Sequence, residues 1–356
     1  MTTVPAAQRA SVVPGLVAKV VAGGTLTIEE AEAAFAEIMT GAVSPVQVAG
    51  FLVALRTRGE VAAEVAGGVR ALRGAMLPVR AAAGADFVDT CGTGGGSFTT
   101  FNISTAAALV AAGAGITITK HGNRSFTSRC GSADVLEALG VAIQLSPEGM
   151  ARVLEQAGIV FMFAPLLHPA MRHVGPVRRE LGIPTIMNLL GPLTNPAGAR
   201  RQLVGVASPQ LVPLVGDALA ALGHEHALVV HGSPGLDEMS PIGRTEGVEV
   251  RAGQVTPFQL DFRAELGWPE FQRDDLAGGD AAYNARVIED VLAGRGRPGA
   301  HAAVTLNAAG AIYLGGLAPS ILDAVTIADR AIATGAALEA LERLREAARE
   351  AEAAEA

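Results

Sequence analysis

The sequence predicts an α/β protein with a small N-terminal helical domain and a larger α/β domain built on a mainly parallel central sheet. Three observations support this fold class. Residues 1–78 carry start and stop signals for helices but no strand patterns. From residue 79, short apolar runs alternate with helical patterns, which is typical of a parallel sheet with crossover helices. The length of 356 residues also indicates about two domains rather than one small core.

The helices of residues 1–78 are predicted from their capping residues. Thr27 and Glu30 have the spacing of a capping box before an alanine-rich run. Ser44 and Gln47 repeat the signal, and the helix that they start should end at Gly59. Part of 165–200 is rich in Pro, His, Arg and Asn and has little strand character. We expect it to complete the helical domain or to line a cleft between the domains.

The α/β domain is expected to span residues 79–335, followed by a helical tail over 336–356 that is partly docked and frays. Helical patterns include residues 104–112 and 209–222. Because crossovers between parallel strands are right-handed, ligand-binding loops are expected at the carboxyl ends of the strands. The candidate strands are residues 87–91, 116–119, 159–163, 203–207, 227–231 and 302–306.

Composition narrows the class of function. Hydrophobic residues make up 50% of the chain, but its most apolar stretches are interrupted before they reach the roughly 20 residues of a membrane span. The net charge of −8 and the lack of a Lys/Arg block argue against a nucleic-acid partner. Cys91 and Cys130 cannot form a disulfide framework and fit a reducing compartment. We therefore predict a cytoplasmic protein with no membrane or nucleic-acid partner.

The first candidate site is a glycine loop that follows the strand at 87–91. A run from Gly92 to Gly96 contains four glycines, and Asn102 and Ser104 follow at the start of the next helix. Glycine lets a backbone approach a ligand closely, and free N–H groups at a helix start favour anions. The loop matches neither a Walker A motif nor a clean dinucleotide-binding fingerprint. A tight strand–helix turn with an N-cap residue is the simpler interpretation of this loop taken alone.

The second candidate site begins where the next strand ends. Lys120 supplies a point charge, Arg124 a planar fork and Asn123 both a donor and an acceptor, all suited to phosphate oxygens. The only other lysine of the chain is Lys19, so the presence of Lys120 in this loop suggests a specific role. Ser132 could bind phosphate or cap the next helix. One basic residue in a loop is usually solvated, but two neighbouring loops rich in anion donors indicate a phosphate site.

The third candidate site is the acidic pair Asp237-Glu238, which follows the strand at 227–231. Paired carboxylates can hold Mg2+, a hard cation that prefers oxygen ligands and keeps water molecules. An exposed acidic turn is the simpler interpretation of a lone pair. Beside a bound polyphosphate, the metal-binding interpretation gains weight because the cation would neutralise the phosphate charge.

The fourth candidate site is a segment of histidines and arginines. His168 and His173 lie five residues apart without a further Cys or acid at metal-ligand spacing, so that zinc is not expected. No nucleophile elbow accompanies them, which argues against a Ser/His/Asp triad. Arg178 could hold a carboxylate in two parallel hydrogen bonds. For one arginine taken alone, an exposed basic helix face is the simpler interpretation.

Together these motifs resemble the anthranilate phosphoribosyltransferase family, in the family's order and spacing and over about residues 15–330. Several motifs at once are far more specific than any one of them. The segments that carry the resemblance are Gly92-Thr93-Gly94-Gly95, Asn102-Ile103-Ser104-Thr105, Lys120-His121-Gly122-Asn123-Arg124-Ser125, Gly131-Ser132-Ala133-Asp134, His168-Pro169-Ala170-Met171, Arg178-Arg179-Glu180, the run from Asn188 to Pro196, and Asp237-Glu238.

The resemblance implies transfer of a phosphoribosyl group from phosphoribosyl pyrophosphate (PRPP) to anthranilate in tryptophan biosynthesis. It implies Mg2+ as cofactor, a homodimer, a nucleoside phosphorylase/phosphoribosyltransferase-like fold and an active site between the two domains. The implied PRPP contacts are Gly92, Gly95, Gly96, Thr100, Asn102, Ile103, Ser104, Thr105, Lys120, Arg124 and Ser132. The implied anthranilate contacts are Gly92, Asn123, Arg178, His121, His168 and Pro165. The implied magnesium ligands are Ser104, Asp237 and Glu238.

One position departs from the family pattern. The family usually has Asp where this chain has Gly96. Loss of a carboxylate beside pyrophosphate would weaken an outer-sphere metal contact, loosen the loop or reduce repulsion. Ser97 and Thr99 are nearby hydroxyls, but neither replaces a charge.

Two relatives of similar architecture are alternatives. A pyrimidine nucleoside phosphorylase would use free phosphate without a paired-acid magnesium site, and the run from Asn102 to Thr105 and the Asp237-Glu238 pair argue against it. A non-catalytic nucleic-acid-binding relative would need a basic surface, which the net charge of −8 opposes.

Overall fold

The structure is a computed structural model that describes residues 11–80, 86–97, 99–125 and 129–356. The chain forms two compact units. The helical unit comprises the residues up to Ala75 together with Pro169–Leu190, and the α/β unit comprises Met76–His168 and Gly191–Ala356. Within the described ranges, no helix is both long enough and apolar enough to cross a bilayer.

The helices and strands are numbered in chain order. The helices are α1 (Val13–Val21), α2 (Ile28–Met39), α3 (Pro45–Arg58), α4 (Ala62–Ala75), α5 (Ile103–Gly113), α6 (Ser132–Ala138), α7 (Pro147–Ala157), α8 (Ala164–Leu167), α9 (Gly175–Leu181), α10 (Met187–Leu190), α11 (Leu211–Ala221), α12 (Phe262–Glu265), α13 (Ala281–Leu292), α14 (Pro298–Leu314), α15 (Ile321–Ala333) and α16 (Ala336–Glu355). The strands are β1 (Val88–Gly92), β2 (Ile118–Gly122), β3 (Ile159–Phe163), β4 (Arg201–Gly205), β5 (His226–Gly232), β6 (Thr245–Arg251) and β7 (Gln254–Leu260).

The helical unit contains α1 to α4, α9 and α10. The Thr27 hydroxyl accepts the Glu30 N–H at 3.2 Å, and the Glu30 carboxylate accepts the Thr27 N–H at 2.9 Å. Ser44 and Gln47 form a second capping box, and α3 ends at Gly59, whose φ is 93°. These helix boundaries confirm the predictions made from the capping residues.

A seven-stranded sheet with the order β3-β2-β1-β4-β5-β6-β7 forms the centre of the α/β unit. The strands β1 to β5 are parallel, and β6 and β7 are antiparallel. The chain passes from β1 through β2 to β3 and then returns to β4 on the other side of β1. The strand order therefore reverses between β1 and β4, where Gly92 pairs with Gly205 at the carboxyl ends. Open α/β sheets bind ligands outside the strand ends at such a reversal.

Two predictions about the sheet require correction. Residues 302–306 are not a strand but lie within α14. The prediction was wrong because a short apolar run has the same pattern in a buried strand and in a buried helix. The hairpin of β6 and β7 is missing from the sequence prediction, although Val248 and Val250 alternate with polar residues along β6. Its turn is Ala252-Gly253, with φ of 49° and 78°. The other five predicted strands overlap β1 to β5.

The tail predicted as a helix forms α16, which is docked over most of its length. One face from Ala337 to Ala351 is buried, and the helix contacts α5 and α7. Near its end, the Glu355 carboxylate accepts the Ser146 N–H at 3.0 Å, at the start of α7. The alanine and leucine spacing predicts the helix, but the partner that buries it lies more than 200 positions away in the sequence.

Candidate active site

The glycine loop after β1 meets the loop of Asp237 at the strand reversal. Gly94 and Gly95 have φ of 65° and 85°, in the left-handed region that favours glycine. A Cβ at Gly92 would lie 2.9 Å from a carboxylate oxygen of Asp237, and the Asp237 carbonyl lies directly against Gly205. Glycine is therefore required where β1 and β4 end, because the acidic loop fills the space of a side chain.

Hydrogen bonds join the glycine loop to the acidic loop. The Ser97 N–H donates to Gly235 O at 2.8 Å, and the Ser97 hydroxyl donates to Pro234 O at 3.0 Å. The Gly94 N–H donates to the Asp237 carboxylate. The loops that follow β1 and β5 thus hold each other, and a ligand bound to one would contact the other.

The start of α5 carries several of the implied PRPP contacts. Asn102 is the cap residue, but its side chain donates to Cys130 O at 3.2 Å and does not occupy the helix N-terminus. The Ile103 side chain is fully buried, so that only its main chain could contact a ligand. The Thr105 hydroxyl oxygen is buried without a hydrogen-bond partner, and Thr100 forms an isolated antiparallel bridge. The Ile103 and Thr105 N–H groups donate to Phe101 O and Asn102 O, so that of this helix start Ser104 has the main-chain N–H best suited to an anion.

Lys120 is buried between β1 and α5. Its ammonium donates to Thr90 O and, at 3.2 Å, to Ser104 Oγ. Burial lowers the pKa of Lys120, and the negative charges of Asp89, Cys91 and Glu238 act in the opposite direction. Its positive charge is thus held beside the start of α5, where an incoming phosphate would favour the charged form.

Ser104, Asp237 and Glu238 line one small cavity, together with Thr90 and Asn307. The cavity volume is about 10 Å³, which corresponds to roughly one water-sized sphere. Each of the three residues follows the carboxyl end of a parallel strand or opens α5, so that the strand reversal brings them together. These are the residues that the resemblance assigns to Mg2+.

At the carboxylates of this cavity, burial outweighs the nearby positive charge of Lys120. Burial raises the pKa of Asp237, and burial and the neighbouring Asp237 raise the pKa of Glu238 well above its ordinary value. One Glu238 oxygen is buried without a hydrogen-bond partner. Two carboxylates and a hydroxyl fit Mg2+, which completes its shell with water and phosphate oxygens. Among the described residues, no cluster of three or more His, Cys, Asp or Glu could hold a metal, so the donors do not fit structural zinc.

The second loop places Asn123 and Ser132 together but engages Arg124 elsewhere. Ser132 opens α6, and its hydroxyl donates to Asn123 O at 3.2 Å. The exposed Arg124 guanidinium donates to Asp134 at 2.8 Å and to both Glu137 oxygens at 2.6 and 2.8 Å. A phosphate contact by Arg124 would therefore have to replace these ion pairs, which the sequence did not predict.

His121 and His168 form a buried pair. Their Nε2 atoms lie 3.2 Å apart, and His168 follows α8, on which Pro165 is exposed. Burial, the partner imidazole and Lys120 lower the pKa of His121 to about 3, and burial lowers the pKa of His168 to about 4. Both rings are therefore neutral near pH 7 and provide a polar but uncharged surface.

Arg178 belongs to the helical unit. It lies on α9 and is half-buried, whereas its neighbour Arg179 is exposed. The Val177 side chain of the same helix is buried, which fixes the orientation of α9 within the unit. The implied anthranilate contacts are thus divided between the two units, with Arg178 in one and Asn123 in the other.

Two family models match the chain. The helical bundle domain of a glycosyl transferase family matches residues 14–76, and the a/b domain of that family matches residues 84–338. Curated anthranilate phosphoribosyltransferases from Rubrobacter xylanophilus and Thermomicrobium roseum are 54% and 51% identical to the chain. These matches cover 91% and 92% of this chain and 94% of each relative. The chain belongs to the anthranilate phosphoribosyltransferase family.

Solved structures of anthranilate phosphoribosyltransferases have the same fold. The Thermus thermophilus enzyme matches with a TM-score of 0.87 and 42% identity, over 94% of this chain and 99% of that one. The Saccharomyces cerevisiae enzyme, in complex with PRPP and Mg, matches with a TM-score of 0.86 and 27% identity, over 96% and 99%. The family, the fold class and the transferase class predicted from the sequence are confirmed.

Residues outside every motif also contribute to the site. Asn307 lines the cavity of the acidic pair. Asn284 donates to the Asn102 side chain at 2.9 Å. Asn284 and Asn307 come from α13 and α14, far from the loops in sequence, and no local pattern marks them. Asn284 and Asn307 can be identified as site neighbours only from the fold, which places α13 and α14 beside the loops.

Replacing Gly96 by Asp should destabilise the metal-free protein. A Cβ here would lie 3.2 Å from an Asp237 oxygen and 3.0 Å from Gly235 O, and the new carboxylate would add its charge to those of the buried Asp237 and Glu238. We expect Gly96→Asp to cost about 1 kcal/mol or more beyond Gly96→Ala, which reports the steric cost alone. Urea unfolding with EDTA measures this difference, and added Mg2+ should reduce it. Equal stabilities of the two variants would show that repulsion is not the reason for glycine.

The paired histidines should make stability depend on pH. In the unfolded chain both titrate near 6.5, but in the fold they bind protons only near pH 3 and 4. The unfolded state thus binds more protons below pH 6.5, so their contribution is complete above that pH and falls as the pH decreases. His168→Gln should reduce the loss of unfolding free energy between pH 6 and pH 5 by about 1 kcal/mol. Parallel pH profiles for wild type and variant would contradict this assignment.

Proposed function

We propose that the chain transfers the phosphoribosyl group of PRPP to the amine of anthranilate. The products are N-(5-phosphoribosyl)anthranilate and pyrophosphate, as a step of tryptophan biosynthesis. The observation that carries the proposal is the meeting of Ser104, Asp237 and Glu238 in one cavity beside Lys120. Family membership adds to it, since the yeast relative binds PRPP with Mg in one structure and 4-fluoroanthranilate in another.

The pyrophosphate of PRPP is proposed to bind at the start of α5. Main-chain N–H groups of the glycine loop, at Gly92, Gly95 and Gly96, would surround it, and Asn102 to Thr105 would add side-chain and helix N-terminal donors. Lys120 would contribute a fixed charge next to Ser104. Thr100, Ser132 and Arg124 are proposed as further contacts, the last after exchange of its bonds to Asp134 and Glu137. Donors held in place before the reaction stabilise developing charge without reorganisation.

Mg2+ is proposed to bind to Ser104, Asp237 and Glu238. The orphaned Glu238 oxygen and the raised carboxylate pKa values support a cation here. When bound, the ion would neutralise the charge that develops on the departing pyrophosphate. The protein's part is to hold the two carboxylates on the acidic loop, which the Gly94 and Ser97 hydrogen bonds fix against the glycine loop.

Anthranilate is proposed to contact Arg178 and Asn123, with Gly92, His121, His168 and Pro165 as further neighbours. A planar guanidinium suits the bidentate binding of a carboxylate. The neutral His121 and His168 would face the ring without adding a charge. The aromatic amine is a poor nucleophile because its lone pair is delocalised. Correct positioning against C1 of the ribose is therefore the main contribution of these residues.

The reaction breaks the bond between C1 and the pyrophosphate oxygen and forms a bond between C1 and the amine nitrogen, which loses a proton. The loop N–H groups and Lys120 would stabilise the leaving group as its charge grows. C1 becomes electrophilic as that bond weakens, in a transition state that resembles an oxocarbenium ion. No residue is assigned as a general base.

We also propose a cytoplasmic homodimer. Val21 and Val46 of the helical unit are 73% and 82% exposed, which gives α1 and α3 apolar surface for a second copy. Cys91 and Cys130 are both free thiols, as suits a reducing compartment.

The activity can be tested by the loss of anthranilate fluorescence. Purified protein with PRPP and Mg2+ should consume anthranilate, and EDTA should stop the reaction because the carboxylate pair then lacks its cation. Omission of PRPP is the second control. A folded protein that binds PRPP but leaves anthranilate unchanged would show that the acceptor is another amine, and aminobenzoate analogues would then identify it.

Arg178→Ala should raise the KM for anthranilate by about tenfold to a hundredfold, because a bidentate charge-assisted contact is lost. The KM for PRPP should change little. Arg179→Ala is the matched control, since it removes an exposed arginine from the same helix. Steady-state kinetics of both variants measure the difference, and an unchanged anthranilate KM in Arg178→Ala would remove Arg178 from the acceptor site.

A further inference from the structure

The Glu238 side chain has a hydrogen bond to its neighbour Asp237 on the same loop, but one of its carboxylate oxygens is buried without a partner. Both side chains line the small cavity. The direction of this acidic pair therefore depends on the main chain before and after it. Before it, Asp237 is held by the Gly94 N–H and by close contact with Gly205. The anchor after it is not part of any motif.

That anchor is Asn307 of α14. Its Oδ1 accepts the Met239 N–H at 3.0 Å, and its Nδ2 donates to Met239 O at 3.0 Å. The second N–H of the amide donates to Ala303 O at 2.9 Å, one turn back on the same helix. Asn307 is 2% exposed, and its side chain thus binds both main-chain groups of the residue next to Glu238.

The Met239 side chain also packs against α14. Met239 is fully buried, and a Cβ at Gly310 would lie 2.6 Å from its terminal methyl carbon. Gly310 is one turn beyond Asn307, so that α14 holds Met239 by its main chain and its side chain. Asn307 itself lines the cavity of Ser104, Asp237 and Glu238.

We propose that Asn307 is a positioning residue for the metal site, which fixes Glu238 by binding both main-chain groups of Met239 from α14. The proposal rests on the proposed function in one respect, the assignment of Mg2+ to Asp237 and Glu238. Residues that orient metal ligands typically contribute tenfold to a hundredfold to metal affinity. A residue that only stabilises the fold would lower the melting temperature and leave that affinity unchanged.

The test uses the full-length protein and measures metal affinity directly. Mn2+ serves as the probe in place of Mg2+, and free Mn2+ is counted by electron paramagnetic resonance in the absence of pyrophosphate, which would itself bind the ion. Asn307→Leu keeps the branched shape of asparagine in a larger side chain and removes the three hydrogen bonds. Asn307→Ser is a second variant that folds more readily, because its hydroxyl can still bond to Ala303 O but cannot span to Met239.

A matched control comes from the same helix. Thr305 is buried, and its hydroxyl donates to Asp329 of α15 at 3.0 Å, away from the cavity. Thr305→Val keeps the branched shape of the side chain and removes one part-buried hydrogen bond. We expect both Asn307 variants to bind Mn2+ at least tenfold more weakly, with kcat at saturating Mg2+ less affected than the Mg2+ requirement. Thr305→Val should lower the melting temperature but keep the Mn2+ affinity within about twofold.

Two results would overturn the proposal. Mn2+ affinity within twofold of wild type in a folded Asn307→Leu or Asn307→Ser protein would leave Asn307 with a structural role only. Unchanged Mn2+ binding in Asp237→Asn or Glu238→Gln would remove the metal site on which the proposal rests. Because the measurement uses no anthranilate, it is independent of a failure of the acceptor assignment.

Discussion

The close approach of the acidic loop to the ends of β1 and β4 is the constraint on which the rest of the site depends. Gly92 and Gly205 are paired neighbours at the strand reversal, and the absence of side chains there admits the Asp237 main chain and carboxylate. With that loop between the strand ends, Glu238 lines the same cavity as Ser104. The Ser97 N–H also donates to Gly235 O, which joins the glycine loop to the acidic loop. A side chain at either glycine would separate Ser104 and the glycine loop from Asp237 and Glu238.

The electrostatics of the site follow from this burial. Desolvation raises the pKa values of Asp237 and Glu238 and lowers that of Lys120, so that each charged form is disfavoured by its own surroundings. A bound cation and a polyphosphate supply charges of both signs at once. Each would return a buried group towards its ionised state, and the two ligands should therefore bind with positive coupling.

The sequence predicted those parts of the structure that depend on local chemistry. The capping boxes of Thr27 and Ser44 mark α2 and α3, and glycines and acids mark the strand-end loops. It failed where the outcome depends on distant partners. The strand predicted at residues 302–306 is part of α14, because a helix buried on most sides has a continuous apolar sequence like that of a buried strand. The Arg124 guanidinium forms ion pairs with Asp134 and Glu137, which lie on the next helix. The assignments of individual site residues remain predictions, and Asn307 could not be found before α14 was placed.

The helix α16 packs on α5 largely through alanine. Buried alanines of α16 include Ala337, Ala340 and Ala347, and a Cβ at Gly113 of α5 would lie 2.7 Å from the Ala336 carbonyl. Alanine has no rotamers, so that a larger residue on either helix cannot be accommodated by a neighbour that turns away. A larger residue on one of the two helices therefore requires a compensating change on the other where they meet, whereas their outer faces can vary independently.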